Sequence, residues 1–237
     1  MIKTAIITGA SGNGIGRSIA FTLARDGFNT IINYRSNKVH ADEVCKFITS
    51  NGGNAFPIQA NVFSQEECVF LVRETIKKFG CIDAIIIGPG ADFNTEEPSS
   101  LIPEKSLQDI VQEISPLYYF LPLILPELKK SINGRIIGIA SNITFPSPSY
   151  SYNVAKKARQ ASILELAKSC WKDKITVNVI APGPLNLIQN VADAFSQSKN
   201  FPEQSNQISP QDIAELVSFL CSEKGRFITG NMIETYF

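Results

Sequence analysis

Histidine is almost missing from this chain of 237 residues: His40 is the only one. It reads as a residue on a helix surface with no catalytic partner, which argues against a histidine-based triad or a zinc site. Cysteine is sparse and scattered. Cys45, Cys68, Cys81, Cys170 and Cys221 lack the paired spacing of a metal site and fit free thiols in a reducing cytosol, so no metal is expected. Neither sign of charge prevails. With 22 basic and 22 acidic residues, no global field draws the chain to nucleic acid or to an anionic membrane. Long apolar runs are absent too, since the longest, Leu117 to Leu128, is cut by Pro122 and Pro126 and is too short to span a bilayer. A strand within the first few residues leaves no room for a signal peptide, and a cytoplasmic location is expected. Repeats, low-complexity tracts and linkers are lacking, so residues 1–237 read as one domain.

What is present is organised around one turn. The apolar run Ala5-Ile6-Ile7-Thr8 enters Gly9-Ala10-Ser11-Gly12-Asn13-Gly14-Ile15-Gly16, and a helix to Arg25 begins at once. Ile15, Ile19 and Leu23, with Ala20 and Ala24 beside them, give that helix its period. Glycines let backbone N–H groups approach a ligand closely, and a new helix aims the positive end of its dipole at whatever lies over the turn. A pyrophosphate suits that environment. A ligand-free strand–helix turn is the plainer alternative, but the density and placement of these glycines favour a dinucleotide.

Further along, strands are expected at Thr30–Asn33, Ala55–Gln59, Ala84–Ile87, Arg135–Ala140 and Ile175–Ile180, with a short last one at Met232-Ile233. Helices fall between them. Gly27 and Gly80 suit helix ends, Ser64-x-x-Glu67 has the pattern of a capping box, and Ser209-Pro210-Gln211-Asp212 starts the last helix with a cap and a first-turn proline. A long helix covers about Glu104 to Lys130, and another Ser151 to Trp171. The polar stretch Asn186 to Gln207 shows little periodicity and is read as a mobile substrate lid, placed around 184–208. Alternating strands and helices with continuous apolar strands predict an α/β protein: a doubly wound parallel sheet of about seven strands with helices on both faces. Its ligand belongs at the carboxyl ends of the strands.

Four distant stretches end at that edge: 9–16, 33–37, 88–90 and 141–156. The last holds Ser141 and then Tyr152-Asn153-Val154-Ala155-Lys156. A tyrosine and a lysine four apart share a helix face. The lysine ammonium favours the phenolate, which lets the tyrosine exchange a proton with a carbonyl or alcohol. The serine can hydrogen-bond the same substrate oxygen. Decoration of an amphipathic helix is the competing reading, weakened by the serine on the preceding strand.

Together these motifs resemble the short-chain dehydrogenase/reductase family, with its Rossmann-type fold, over nearly the whole chain. Thr8-Gly9 through Gly16 resembles the family's TGxxxGxG turn with one extra residue, which Gly12 is expected to absorb. The resemblance implies that Ser141, Tyr152 and Lys156 are the catalytic set, with Tyr152 the general acid/base, Lys156 holding the nicotinamide ribose, and Ser141 orienting the substrate. It implies cofactor contacts at Gly9, Ser11, Gly12, Asn13, Gly14, Ile15 and Gly16, at Tyr34, Arg35 and Ser36, and at Asn61 and Val62. Gly88, Pro89, Gly90, Tyr152, Lys156, Pro182, Gly183 and Leu185 complete that set. Members similar to 3-oxoacyl-thioester reductases come nearest in motif. The implied activity is interconversion of a ketone and a secondary alcohol on a small carbonyl substrate, by a homodimer or homotetramer. No carboxylate closes the second strand, and Arg35 offers a planar fork to a 2′-phosphate, so NADP(H) is the expected cofactor.

Several positions depart from the family pattern. Ile87-Gly88-Pro89-Gly90 replaces Asn-Asn-Ala-Gly, Asn61 an aspartate, Glu113 an active-site asparagine, and Asn186 a threonine. The asparagine normally marks a helix kink whose freed carbonyl holds a relay water. Here Pro116 is expected to supply the kink, the carbonyl of Gln112 or Glu113 to hold the water, and the Glu113 carboxylate to serve as a relay group. These losses keep two other readings open: a nucleotide-binding regulatory or scaffold protein, and a non-redox lyase or epimerase-like relative.

Overall fold

The computed structural model describes residues 2–93, 98, 102–142, 149–200 and 207–236. In chain order the elements are β1 (Thr4–Ile7), α1 (Ile15–Arg25), β2 (Asn29–Tyr34), α2 (Lys38–Ser50), β3 (Asn54–Gln59), α3 (Gln65–Phe79) and β4 (Ala84–Ile87). They continue with α4 (Pro103–Leu128), β5 (Arg135–Ile139), α5 (Tyr150–Cys170), β6 (Thr176–Ala181), α6 (Val191–Lys199), α7 (Pro210–Cys221) and β7 (Met232–Glu234). The strands form one seven-stranded sheet in the order β3-β2-β1-β4-β5-β6-β7. Every pairing is parallel.

Period-two alternation sorts the strand residues between two cores. Ile6, Ile31, Ile85 and Ile136 pack under α3, α4 and α5, whereas Ile7, Ile32, Ile86 and Ile137 pack under α1, α2 and α7. Both faces are buried, which is why the strands read as continuous apolar runs. The chain reverses its winding direction between β1 and β4, and at such a switch point the loops on either side diverge and open a crevice.

Two expectations need correction. Gly9, with a φ of 66°, carries the left-handed backbone of the glycine turn, and Gly12 does not. The Ser64 cap is half a capping box: its Oγ accepts from the Glu67 N–H, but the Glu67 carboxylate turns to the Asn61 N–H at 2.7 Å. At Ser209 both halves form, with the Ser209 N–H donating to Asp212 Oδ2 at 2.7 Å. The stretch read as a lid is partly helical. Its middle is the helix α6, capped by Asn190, whose Phe195 ring stands 5.1 Å from those of both Phe21 and Phe47. Residues 201–206 of that stretch lie outside the described residues.

Candidate active site

At the switch point, short polar contacts stitch the strand ends together. Thr8 Oγ1 donates to the Ile86 carbonyl at 2.9 Å and accepts from the Gly88 N–H at 2.8 Å. Asn33 Oδ1 accepts from the Gly9 N–H at 3.2 Å, and the Asn33 carbonyl from the Ala10 N–H at 2.9 Å. A Cβ on Gly16 would stand 2.7 Å from the Gly9 carbonyl oxygen, so the turn closes on its own helix only with glycine there. Gly14 is the N-cap and supplies no side-chain cap, the first turn of α1 holds no acid, and open space surrounds its Cα. That donor set suits a pyrophosphate.

Beside the turn, Gly9, Asn33, Arg35, Ala60, Asn61, Val62, Phe63, Pro89, Gly90 and Asp92 line a cavity of about 130 Å³. Pro89 seats its ring against Gly9, where an added Cβ would meet Pro89 Cγ at 2.8 Å. Arg35 is exposed where it lines this cavity, Ser36 next to it in the chain is exposed, and the Tyr34 ring is packed into the core. Ser11 is buried, and Gly12 and Asn13 are exposed. Across the turn, the segment after β6 reaches back: Asn13 Nδ2 donates to Gln189 Oε1 at 2.9 Å, and the buried Arg17 donates to the Ile188 carbonyl. Pro182 and Gly183 are tied to neighbouring strand ends through the Asn142 N–H and the Thr235 carbonyl, and Leu185 bridges to Ile208.

On the other side of the crevice, Tyr152 Oη donates to Ser141 Oγ at 2.6 Å. Ser149 caps α5 by accepting the Tyr152 N–H at 3.2 Å, and Gln160 holds the Ser141 carbonyl at 2.9 Å, which fixes the two partners' backbones. Lys156 Nζ lies 5.2 Å from the Tyr152 ring centroid. Phe93 stands edge-on to the same ring, centroids 5.5 Å apart. The three residues separated in sequence do converge.

Glu113 makes a direct contact with Lys156 where the sequence suggests a water relay. It does not face solvent: it is 1% exposed. Its Oε1 accepts from Lys156 Nζ at 2.8 Å and from Arg159 Nη1 at 3.0 Å, and its Oε2 from the Ala91 N–H at 2.7 Å. The carbonyl of Gln112, which Pro116 deprives of its helical partner, accepts from Ser115 Oγ at 3.0 Å. It is thus satisfied within the helix, and α4 runs as one helix through Pro116. The carboxylate reaches Lys156 directly. Burial pushes the Lys156 ammonium below its ordinary range, opposed by the Glu113 carboxylate.

Arg159 escaped the sequence reading. Its guanidinium donates to the Pro89 and Ile87 carbonyls, each at 2.6 Å, as well as to Glu113, and so holds the segment where the family pattern has two asparagines. A Cβ on Gly90 would collide with Lys156 Nζ and stand 2.7 Å from Glu113 Oε2, so the ion pair needs glycine beside it. The signal was present. Tyr152, Lys156 and Arg159 recur at helical spacing on the stripe of α5 that otherwise buries Ala155, Ile163 and Ala167.

Comparison with known proteins bears on this arrangement. The family described as enoyl-(acyl carrier protein) reductase matches residues 9–235. A 3-oxoacyl-(acyl-carrier-protein) reductase of Staphylococcus aureus is 31% identical over 245 residues, covering 98% of this chain and 96% of that protein. An uncharacterised oxidoreductase of Bacillus subtilis is 32% identical over 244 residues, covering 98% and 97%. Among solved structures, the angucycline C-6 ketoreductase LanV with bound NADP superposes with a TM-score of 0.80 at 29% identity, covering 98% of this chain and 93% of that one. The acetoin dehydrogenase YohF of Salmonella typhimurium shares the fold, with a TM-score of 0.84 at 24% identity, covering 99% and 94%.

Proposed function

The chain belongs to the short-chain dehydrogenase/reductase family, and from that premise we propose that it is an NADP(H)-dependent ketoreductase acting on a small carbonyl compound, such as a 3-oxoacyl thioester. The observation that carries the reading is the 2.6 Å contact between Tyr152 Oη and Ser141 Oγ, with Lys156 behind the ring, at the edge of the crevice that begins at the glycine turn.

The residues present fit a dinucleotide. The N–H groups at the start of α1 would hold the pyrophosphate, Arg35 and Ser36 the 2′-phosphate, and Asn61 and Val62 would border the adenine. When bound, the nicotinamide supplies the hydride. Ser141 Oγ hydrogen-bonds the carbonyl oxygen of the substrate, taking up the position its contact with Tyr152 now satisfies. Tyr152 Oη then gives its proton to that oxygen as negative charge builds on it, and Lys156 stabilises the phenolate left behind. Phe93 and the ring of Tyr152 form an aromatic wall beside the reacting group. The ion pair of Lys156 with Glu113 replaces the water relay of the family pattern.

The test is NADPH oxidation by the purified protein with a panel of 3-oxoacyl thioesters, diketones and cyclic ketones. Substrate-dependent oxidation is expected. Tight NADPH binding with no turnover on any ketone would favour the regulatory reading instead.

A further inference from the structure

Three charged side chains meet behind the Tyr152 ring, two basic and one acidic, and all are buried: Glu113 is 1% exposed, Arg159 2% and Lys156 8%. Charges so enclosed act on one another with little screening by water or salt. Lys156 and Glu113 alone would form a neutral pair, and a neutral pair gives a phenolate much less support than a free ammonium does. Arg159 shares the same Glu113 oxygen, Oε1, at 3.0 Å and returns the cluster to one net positive charge.

Resting on the reading of Tyr152 as general acid, we propose that Arg159 is a positioning residue for proton transfer. It offsets the charge of Glu113, so that Tyr152 faces a single net positive charge held in place by the Ile87 and Pro89 carbonyls. Arginine suits this role because it keeps its proton under all working conditions, and its planar fork reaches the carboxylate and both carbonyls at once. Burial lowers the proton affinity of Lys156 and Arg159 alike, and in both cases Glu113 opposes that effect.

Among the described residues, the cluster is the main local charge. On α4, the nearest ionic groups on the N-terminal side are Lys105 and Asp109, which pair with each other at 2.8 Å. On α5, Lys157 is exposed. The segment after β4 carries Asp92, exposed at the mouth of the cavity. The described residues after β1 and β5, Thr8–Gly14 and Ser141-Asn142, bring no charged side chain, nor do Pro182–Leu185 after β6.

The experiment follows the titration of the Tyr152 phenol in the full chain, as phenolate absorbance, by difference against a Tyr152→Phe partner in each background. Glu113→Gln is expected to lower the midpoint by about one pH unit and Arg159→Met to raise it by about as much. The double variant, with one positive charge again, returns close to the unmodified protein. Arg159→Lys keeps the charge but loses the fork, and holds the unmodified midpoint. Should Arg159→Met fail to fold, the double variant decides the matter: its midpoint is expected about one pH unit above that of Glu113→Gln, and a midpoint equal to that of Glu113→Gln overturns the proposal. Midpoints that stay together, or two single variants that move in the same direction, overturn the proposal. The two claims fail separately. The expected titration pattern without ketone turnover upholds the cluster and sinks the ketoreductase reading, and turnover with flat midpoints does the reverse.

Discussion

At the scale of single residues, the proposed preference for NADP(H) rests on Arg35. It closes β2 where a carboxylate would hold a ribose 2′-hydroxyl and repel a phosphate, and it opens into the same cavity as Asn61 and Val62. Hydrogen bonds to a charged group contribute roughly 1.5–3 kcal/mol. Arg35→Ala is therefore expected to weaken NADPH by about ten- to a hundredfold while leaving NADH nearly unchanged, as read by fluorescence titration. Equal affinity of the unmodified protein for the two cofactors would contradict this. The residues of the proposed proton-transfer group differ in how openly the sequence shows them. Ser141, Tyr152 and Lys156 stand out because their spacing and their place after a strand are local facts. The partner of Glu113 is not a local fact. Its carboxylate meets Lys156 and Arg159 only because α4 and α5 pack side by side, and Arg159 sits at a stripe position that pattern reading assigns to an apolar residue.

At the scale of elements, strands and most helices were legible for a physical reason. Strands buried on both faces must be apolar throughout, and glycines at helix ends mark where the backbone turns left-handed, as at Gly27 and Gly80. The helix α6 was not legible. Its apolar stripe is only Val191, Ala194 and Phe195, set among polar residues, and it forms by inserting Phe195 beside Phe21 and Phe47 from distant parts of the chain. A second long-range contact fastens the same layer. Arg25 on α1 forks onto Glu215 of α7, with Nη1–Oε1 at 2.6 Å and Nη2–Oε2 at 2.9 Å. That fork holds the Glu215 carboxyl below its ordinary range. A carboxyl whose proton affinity falls on folding adds stability above its unfolded titration range, and that stability disappears as pH falls through the folded one. Both side chains are about a third exposed, which limits the pair to ~1 kcal/mol or less. Glu215→Gln is expected to lower the denaturation midpoint slightly at neutral pH, the difference closing as pH falls below the ordinary carboxylate range. A deficit that does not change with pH would show that packing, not charge, holds α1 to α7.

At the scale of the whole molecule, the outer face of α4 bears on assembly. Leu107, Val111 and Tyr118 fall on one side of the helix and are 63%, 61% and 57% exposed, an apolar stripe that water does not favour. A second copy of the chain is the proposed cover, as the family resemblance implies. Light scattering at micromolar concentration is expected to show a dimer or tetramer, and a monodisperse monomer would contradict it. Within each copy the sheet brings the glycine turn, Arg35 and the Ser141–Tyr152–Lys156 group to one edge, and the proposed chemistry depends on that convergence. The most direct measurement compares the rate of ketone reduction at saturating NADPH between the unmodified protein and Tyr152→Phe. General acid catalysis typically contributes about 10²–10⁴-fold, so a loss of that size is expected with NADPH affinity unchanged; full activity in Tyr152→Phe on a good substrate would contradict the account.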